Sequence, residues 1–286
     1  MPDDALAHYG LTVIGLRFRG RTFVPVRQRG YAGGWLRGIL GWCLSREVCL
    51  YERVACERCA IRHDCAYPQC FKPAEIDKQA PLAPWVLHHW RVRSDERAVQ
   101  FTVLLLGKGI LFAETLLNAL ARHWPQQVEH AGELERVDDV ASSQPLWVQG
   151  RFQGSHAPRA LSLPCKSTTA ARVLLQTPLA SKHQDDGTDP LYKPLKTRLQ
   201  RLIQQFGTGQ PLVLPTLPWH CQNQDLTHVR IPLGSKQRCI QGWRGELHLA
   251  EITPVGQALL HLGELLHAGG SVSCGCGRYA LVLKDD

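Results

Sequence analysis

The sequence predicts an α+β protein: two ferredoxin-like domains in tandem, each a βαββαβ unit, with a cysteine-rich insertion in the first. Three observations carry this expectation. The order strand, helix, strand, strand, helix, strand can be traced twice through the 286 residues. A stretch bearing Gly, Ser and Pro, residues 153–169, separates the two passes. Hydrophobic residues make up 44% of the chain, enough for a core in each half. The division that follows is 1–152 for the first domain, with the cysteine segment 49–70, and 170–286 for the second, with a glycine-rich loop at 269–277. In such a unit two helices cover one face of a four-stranded antiparallel sheet.

In the first half, residues 11–19 (LTVIGLRFR) alternate, with Ile14, Leu16 and Phe18 on one face and Arg17 and Arg19 on the other. That is the period of a half-buried strand with a basic outer face. The Gly-rich apolar residues 33–44 read as a helix. Strands are expected at 85–92 and 100–106, a helix at 110–123 with Ile110, Leu117 and Leu120 on one stripe, and a closing strand at 146–152. In the second half, residues 172–176 read as a strand. Residues 194–206 form the clearest helix of the chain. Leu195, Leu199, Leu202, Ile203 and Phe206 fall at i, i+4, i+7, i+8 and i+11, and Pro194 stands in the first turn, where a missing N–H is tolerated. Strands near 230–232 and 246–252, a helix over 255–267 with Leu259, Leu262 and Leu266 in register, and a strand at 279–283 complete the repeat.

The formal charge is +8, from 33 Lys and Arg against 25 Asp and Glu, and its placement says more than its sum. Residues 5–46 contain no acid but hold Arg17, Arg19, Arg21, Arg27, Arg29, Arg37 and Arg46. Residues 190–209 contain none but hold Lys193, Lys196, Arg198 and Arg201. Residues 226–245 contain none but hold Arg230, Lys236, Arg238 and Arg244, whereas residues 129–139 are acidic. Such stretches point to a polyanion, and Arg suits phosphate because its planar fork donates two parallel hydrogen bonds. The competing reading is a basic, solvated surface. Single-stranded RNA readers often use the uncovered face of a sheet of this kind. No run of 18 apolar residues is present, so no transmembrane helix is expected. The first residues, MPDDALAHYG, are acidic where a signal peptide needs positive charge, so the expected location is the cytoplasm.

Five of the eleven cysteines fall between Cys49 and Cys70, in CLYERVACERCAIRHDCAYPQC. Cys56 and Cys59 form a C-x-x-C knuckle, with Cys65 and Cys70 following. Short spacing of this kind lets sulfurs converge tetrahedrally on Zn²⁺. The expected ligands are Cys56, Cys59 and Cys65, with Cys70 as the fourth and Cys49 or His63 as alternatives to it. The metal would be structural, since no carboxylates nearby suggest an open catalytic site. The competing reading is a set of reduced, packed thiols.

The chain closes on LGELLHAGGSVSCGCGRY, in which Gly269, Gly270, Gly275 and Gly277 bracket a loop between helix and strand. Glycines permit close backbone approach and can present N–H groups to phosphate. This ending resembles the C-terminal glycine-rich loop of the CRISPR precursor-RNA processing endoribonucleases of the RAMP superfamily. WLRGILGWCL followed by CERCAIRHDCAYPQCF is similar to that family's N-terminal helix and cysteine segment. LLQTPLASK, followed by a basic amphipathic helix, is similar to the start of its second domain. The resemblance runs from residue 11 to 283 and implies tandem ferredoxin-like domains. It also implies cleavage of a CRISPR repeat RNA hairpin to give mature guide RNA, with other CRISPR effector subunits as further partners. One position departs from the family: Trp42 stands in GILGWCL where many relatives carry a histidine used as general base or acid. Arginine-rich processing nucleases occur in the type IV branch, which this arginine-rich front end suits.

RNA cleavage by its own 2′-hydroxyl requires deprotonation of that hydroxyl, protonation of the 5′-oxygen and stabilisation of the phosphorane. It leaves a 2′,3′-cyclic phosphate and a 5′-hydroxyl and needs no catalytic metal. Arg is a poor base but a good charge clamp. The catalytic candidates are Arg37 and Arg27 as clamps, with Tyr31 and His267 as proton carriers. His267 has a competing role as a helix C-terminal cap. The expected RNA contacts are Arg17, Arg19, Arg29, Lys193, Lys196, Arg198, Arg201, Lys236, Arg238, Arg244 and the four loop glycines. Two rivals remain: a guide-RNA-binding subunit without activity, and a zinc-stabilised protein-binding adaptor.

Overall fold

The computed structural model describes residues 4–23, 32–52, 54–76, 82–92, 97–127, 131–153, 158–164, 166, 168–180, 189–207, 218–232 and 239–283. The chain divides into two compact units, Thr12–Leu161, and Met1–Leu11 together with Ser162–Asp286. Along the chain come α1 (Ala5–His8), β1 (Val13–Thr22), α2 (Ala32–Val48), the short α3 (Ala66–Phe71) and α4 (Pro73–Ile76), β2 (Trp85–Val92), β3 (Ala98–Leu106), α5 (Ala113–His123), β4 (Gly132–Asp139), β5 (Pro145–Val148) and β6 (Arg151–Phe152). There follow β7 (Ala171–Leu179), α6 (Tyr192–Phe206), β8 (His220–Pro232), β9 (Cys239–Ala250), α7 (Pro254–Leu266) and β10 (Tyr279–Leu283).

In the first unit an antiparallel sheet has the order β2-β3-β1-β4-β5-β6. Its first four members are the ferredoxin-like arrangement, with β1 between the third and the closing strand. Leu16 and Phe18 of β1 join Phe101, Val103 and Leu105 of β3 in one core with Leu36, Leu40 and Leu44 of α2 and Leu117 and Leu120 of α5. Phe18 stacks on Phe101 at 4.9 Å between ring centroids. The expected closing strand at 146–152 is instead the added β5–β6 pair, and the closing strand is β4. Its sequence, GELERVDD, has buried Leu134 and Val137 three residues apart, brought to one face by a register shift against β1 that leaves Glu135 unpaired in the ladder, so no period-2 pattern is present to read.

The second unit repeats the plan, with the sheet order β10-β7-β9-β8. Tandem ferredoxin-like architecture is therefore what both halves fold into. Residues at the start of the chain go with this unit, because Asp4 accepts hydrogen bonds from the N–H groups of Leu6 at its own helix and Leu163 far along the chain. On α6, Leu195, Leu199, Leu202 and Ile203 are buried as expected, each burial contributing about 1.5–3 kcal/mol. Asp189 caps this helix, its Oδ1 accepting from the N–H groups of Leu191 and Tyr192 at 2.8 and 3.2 Å. Thr253 caps α7 through Gly256 N–H at 3.1 Å, with Pro254 in the first turn. The strands β8 and β9 are far longer than expected, 13 and 12 residues, and pair along almost their whole length.

Candidate nucleic-acid interface

The glycine-rich loop joins α7 to β10 and is packed against the end of β7. Thr177 Oγ1 donates to Gly275 O at 2.9 Å and accepts from Arg278 N–H at 2.9 Å. Gly277 N–H donates to Pro178 O at 2.8 Å, and Gly270 N–H to Ala180 O at 3.0 Å. Two glycines are dictated by close backbone approaches, Gly277 within the loop and Gly269 against the residue after β7. A Cβ on Gly277 would stand 1.7 Å from Ala268 O, and one on Gly269 2.7 Å from Ala180 O, both residues at φ +72°. Gly275 and Gly277 are buried, so they cannot contact RNA as expected; their lack of a side chain serves backbone-to-backbone packing. Gly270 and Ser271, at the tip, are exposed.

Two further expectations are corrected here. His267 is fully buried at the end of α7, with φ 63° and ψ 161°, and its Nδ1–H donates to Cys276 O at 3.1 Å. It ties the loop together and has no surface to offer a substrate. Arg198 is only 7% exposed, and its Nε donates to Leu266 O, at the end of α7, at 3.0 Å. Burial, with Arg201 adding to it, pushes its pKa down to about 9. It is a buried C-terminal cap for α7, not an RNA contact. The i+3 spacing from Leu195 puts it on the apolar stripe, which the sequence already shows.

The exposed cations of this unit lie elsewhere. Lys193 and Arg201 are exposed on α6, and Lys196 lies over the Tyr192 ring at 5.6 Å. Arg244, exposed on β9, donates to Gln176 O at 3.0 Å, beside the segment of β7 that receives the loop, and makes no ion pair among the described residues. His228 packs edge-on against Trp243 across the β8–β9 pair at 5.2 Å. Lys236 and Arg238 lie outside the described residues.

In the first unit the acid-free stretch meets its acids in space. Arg19 pairs with Asp138 at 3.1 Å, and Arg21 with Glu133 and, at 3.6 Å, Glu135. The acidic residues 133–138 of β4 thus neutralise much of the basic face of β1. Arg17, half-buried on the same face, makes no ion pair among the described residues. Arg37 is half-buried on α2, where its Nη2 donates to Phe71 O at 3.1 Å and its guanidinium lies 5.5 Å from the Phe71 ring centroid. Both contacts hold α2 to α3. Arg27, Arg29 and Tyr31 lie outside the described residues. Trp42 is half-buried and packed against the core.

Sequence reading missed one polar cluster. On the sheet face of the second unit opposite its buried leucines, Glu246 Oε1 stands 2.9 Å from His248 Nε2 and 3.3 Å from Arg172 Nη1. An imidazole held by a carboxylate can give and take a proton. The signal was present in the two-residue spacing of Glu246 and His248, which puts both on one side of a strand.

The cysteines separate into two groups. Cys70 is buried in the core beside Leu40, Leu44, Phe71 and Trp85, and burial pushes its thiol up to about 12. Cys49, Cys56, Cys59 and Cys65 line a different pocket. Partial burial pushes the Cys65 thiol up, a backbone hydrogen bond at Tyr67 opposes this, and Cys56, Cys49 and Cys59 add to the rise. The His63 side chain is on an exposed residue whose carbonyl accepts from Gln69.

Two ferredoxin-like units in tandem, the second closing on a docked glycine-rich loop, define the class of protein. The family model AF_1859_N, an N-terminal domain, matches residues 11–159, just over half of the chain, and the chain belongs to that family. No curated protein matches it by sequence. Among solved structures it is similar to a Cas6 product complex, with a TM-score of 0.55 and 15% identity over 95% of this chain and 99% of that one. It is similar to Thermus thermophilus Cas6, with a TM-score of 0.53 and 16% identity over 95% and 99%. A partial Cas6-RT-Cas1–Cas2 complex gives a TM-score of 0.59 and 14% identity over 96% of this chain and 46% of that one. At these identities the likeness is one of fold. Among the described residues no helix is long and apolar enough to cross a membrane.

Proposed function

We propose that the chain is an endoribonuclease that processes CRISPR repeat RNA, cutting at a hairpin through the RNA's own 2′-hydroxyl and releasing guide RNA. The observation that carries this reading is the match in fold, along nearly all of both chains, to a structure named as a Cas6 product complex. The docked loop supports it: its exposed tip, Gly270–Ser271, lies at the end of β7 where the exposed Arg244 also reaches. The exposed cations Lys193 and Arg244, for which no ion pair is seen among the described residues, favour phosphate binding and charge stabilisation. Arg37, half-buried, and Arg27 keep their proposed roles as clamps, and Tyr31 its role as proton carrier. Guide RNA and CRISPR proteins are the partners this reading implies.

The test is RNA binding and cleavage measured across a salt series with a repeat hairpin. Arg244→Ala is expected to weaken binding and lower the salt slope by about 1, the value for one lost phosphate contact. Arg21→Ala, whose charge is already met by Glu133 and Glu135, should change the slope less. Binding without cleavage would favour the guide-RNA-binding subunit. Salt-insensitive or absent RNA binding would favour the protein-binding adaptor.

A further inference from the structure

The segment 49–65 lacks the means by which a polypeptide of this length usually keeps a shape. Its regular structure is a single short turn of helix, Cys56–Arg58. None of its described residues is buried, and Leu50, Tyr51 and Val54 are 75%, 49% and 43% exposed. Its backbone hydrogen bonds are local: Cys59 N–H to Cys56 O at 3.1 Å closes the knuckle, and Cys65 N–H to Ile61 O at 3.0 Å closes the next turn. Without a core, such a segment gains order most directly from a cross-link that closes it. Four thiols, from Cys49, Cys56, Cys59 and Cys65, line a pocket that it forms with the end of α2 and the start of α3. They come from both ends and the middle of the segment, so joining them would fix all of it.

We propose that Cys49, Cys56, Cys59 and Cys65 form a structural four-thiolate site for a divalent cation of the zinc type, with Cys49 and not Cys70 as the fourth ligand. Cys70 faces the core from α3, separated from this pocket by its own burial among leucines and aromatic rings. Four thiolates and a closed tetrahedral shell favour Zn²⁺ over Mg²⁺ or Ca²⁺, which take oxygen ligands. As the side chains stand, no three His, Cys, Asp or Glu among the described residues are gathered closely enough to share an ion. Ligation would draw the sulfurs to about 2.3 Å from the metal. The local turns of the segment leave it free to follow, and binding releases the thiol protons. The site is independent of the RNA-processing reading and would hold equally in an adaptor.

The test uses the full chain, purified with a reductant and without a histidine tag, with metal measured by elemental analysis. One zinc per chain is expected. Cys49→Ser and Cys59→Ser should each lose the metal and lower Tm, whereas Cys70→Ser should keep the metal even where it lowers Tm. Cobalt substituted for zinc should show the thiolate charge-transfer and intense visible bands of a tetrahedral sulfur site, and lose them in Cys49→Ser. Chain free of metal after refolding with zinc would overturn the proposal. So would zinc retained by Cys49→Ser and lost by Cys70→Ser, which would restore Cys70 as the fourth ligand.

Discussion

Gly277→Ala is expected to unfold the glycine-rich loop and with it much of the second unit's stability, while Gly270→Ala leaves stability nearly unchanged. The two glycines are seven residues apart in one loop, but their surroundings differ. At Gly277 a Cβ meets a backbone oxygen at 1.7 Å, and the residue sits at φ +72°. The left-handed conformation alone costs about 1–2 kcal/mol for a residue with a Cβ. Overpacking against an atom that cannot swing aside adds about 1–3 kcal/mol. Each kcal/mol lowers Tm by roughly 2–8 °C for domains in this size range, so Gly277→Ala should fall by on the order of 10 °C. At Gly270 the nearest atom to an added Cβ is 3.6 Å away, an ordinary contact. Thermal unfolding followed by circular dichroism measures both. Equal Tm for the two variants would mean that Gly277 does not approach the Ala268 backbone as described.

A single 2′-deoxy sugar 5′ to the cut should abolish cleavage and leave binding intact. The proposed reaction takes its nucleophile from the RNA, so removing that oxygen removes the reaction. The fall should exceed about 10³-fold, equivalent to about 4 kcal/mol of barrier. Binding rests on phosphates and on the hairpin's shape, and one missing hydroxyl removes only the few contacts of a single group. Single-turnover cleavage and a filter-binding titration on the same substrate separate the two effects. Unchanged cleavage would require water as the nucleophile.

The architecture was legible wherever burial and period agreed. The α6 stripe and the alternation of β1 were both visible because one face of each is apolar. Of the strand β8, HCQNQDLTHVRIP, only the end near 230–232 could be read, since its polar residues fall on both faces and pairing with β9 defines it. Charge misled twice and glycine once. The arginines of β1 look unopposed along the sequence, yet Asp138 and Glu133 reach them from a strand more than a hundred residues away. Arg198 looks like surface charge, yet it caps α7 from inside the unit. The glycines look like a phosphate cradle, yet Gly275 and Gly277 are buried by the loop's own docking. The Cys-rich segment was legible as a group, but only its folding separates Cys70, carried by α3 into the core, from the other four.

The most direct measurement is the chemistry of the ends. A transcript of a cognate repeat, incubated with the protein in chelator, should be cut at one position to leave a 2′,3′-cyclic phosphate on the upstream fragment and a 5′-hydroxyl on the downstream one. Mass spectrometry of the fragments reads both ends at once. A 5′-phosphate with a free 3′-hydroxyl, or an uncut transcript that the protein nonetheless binds, would contradict the account.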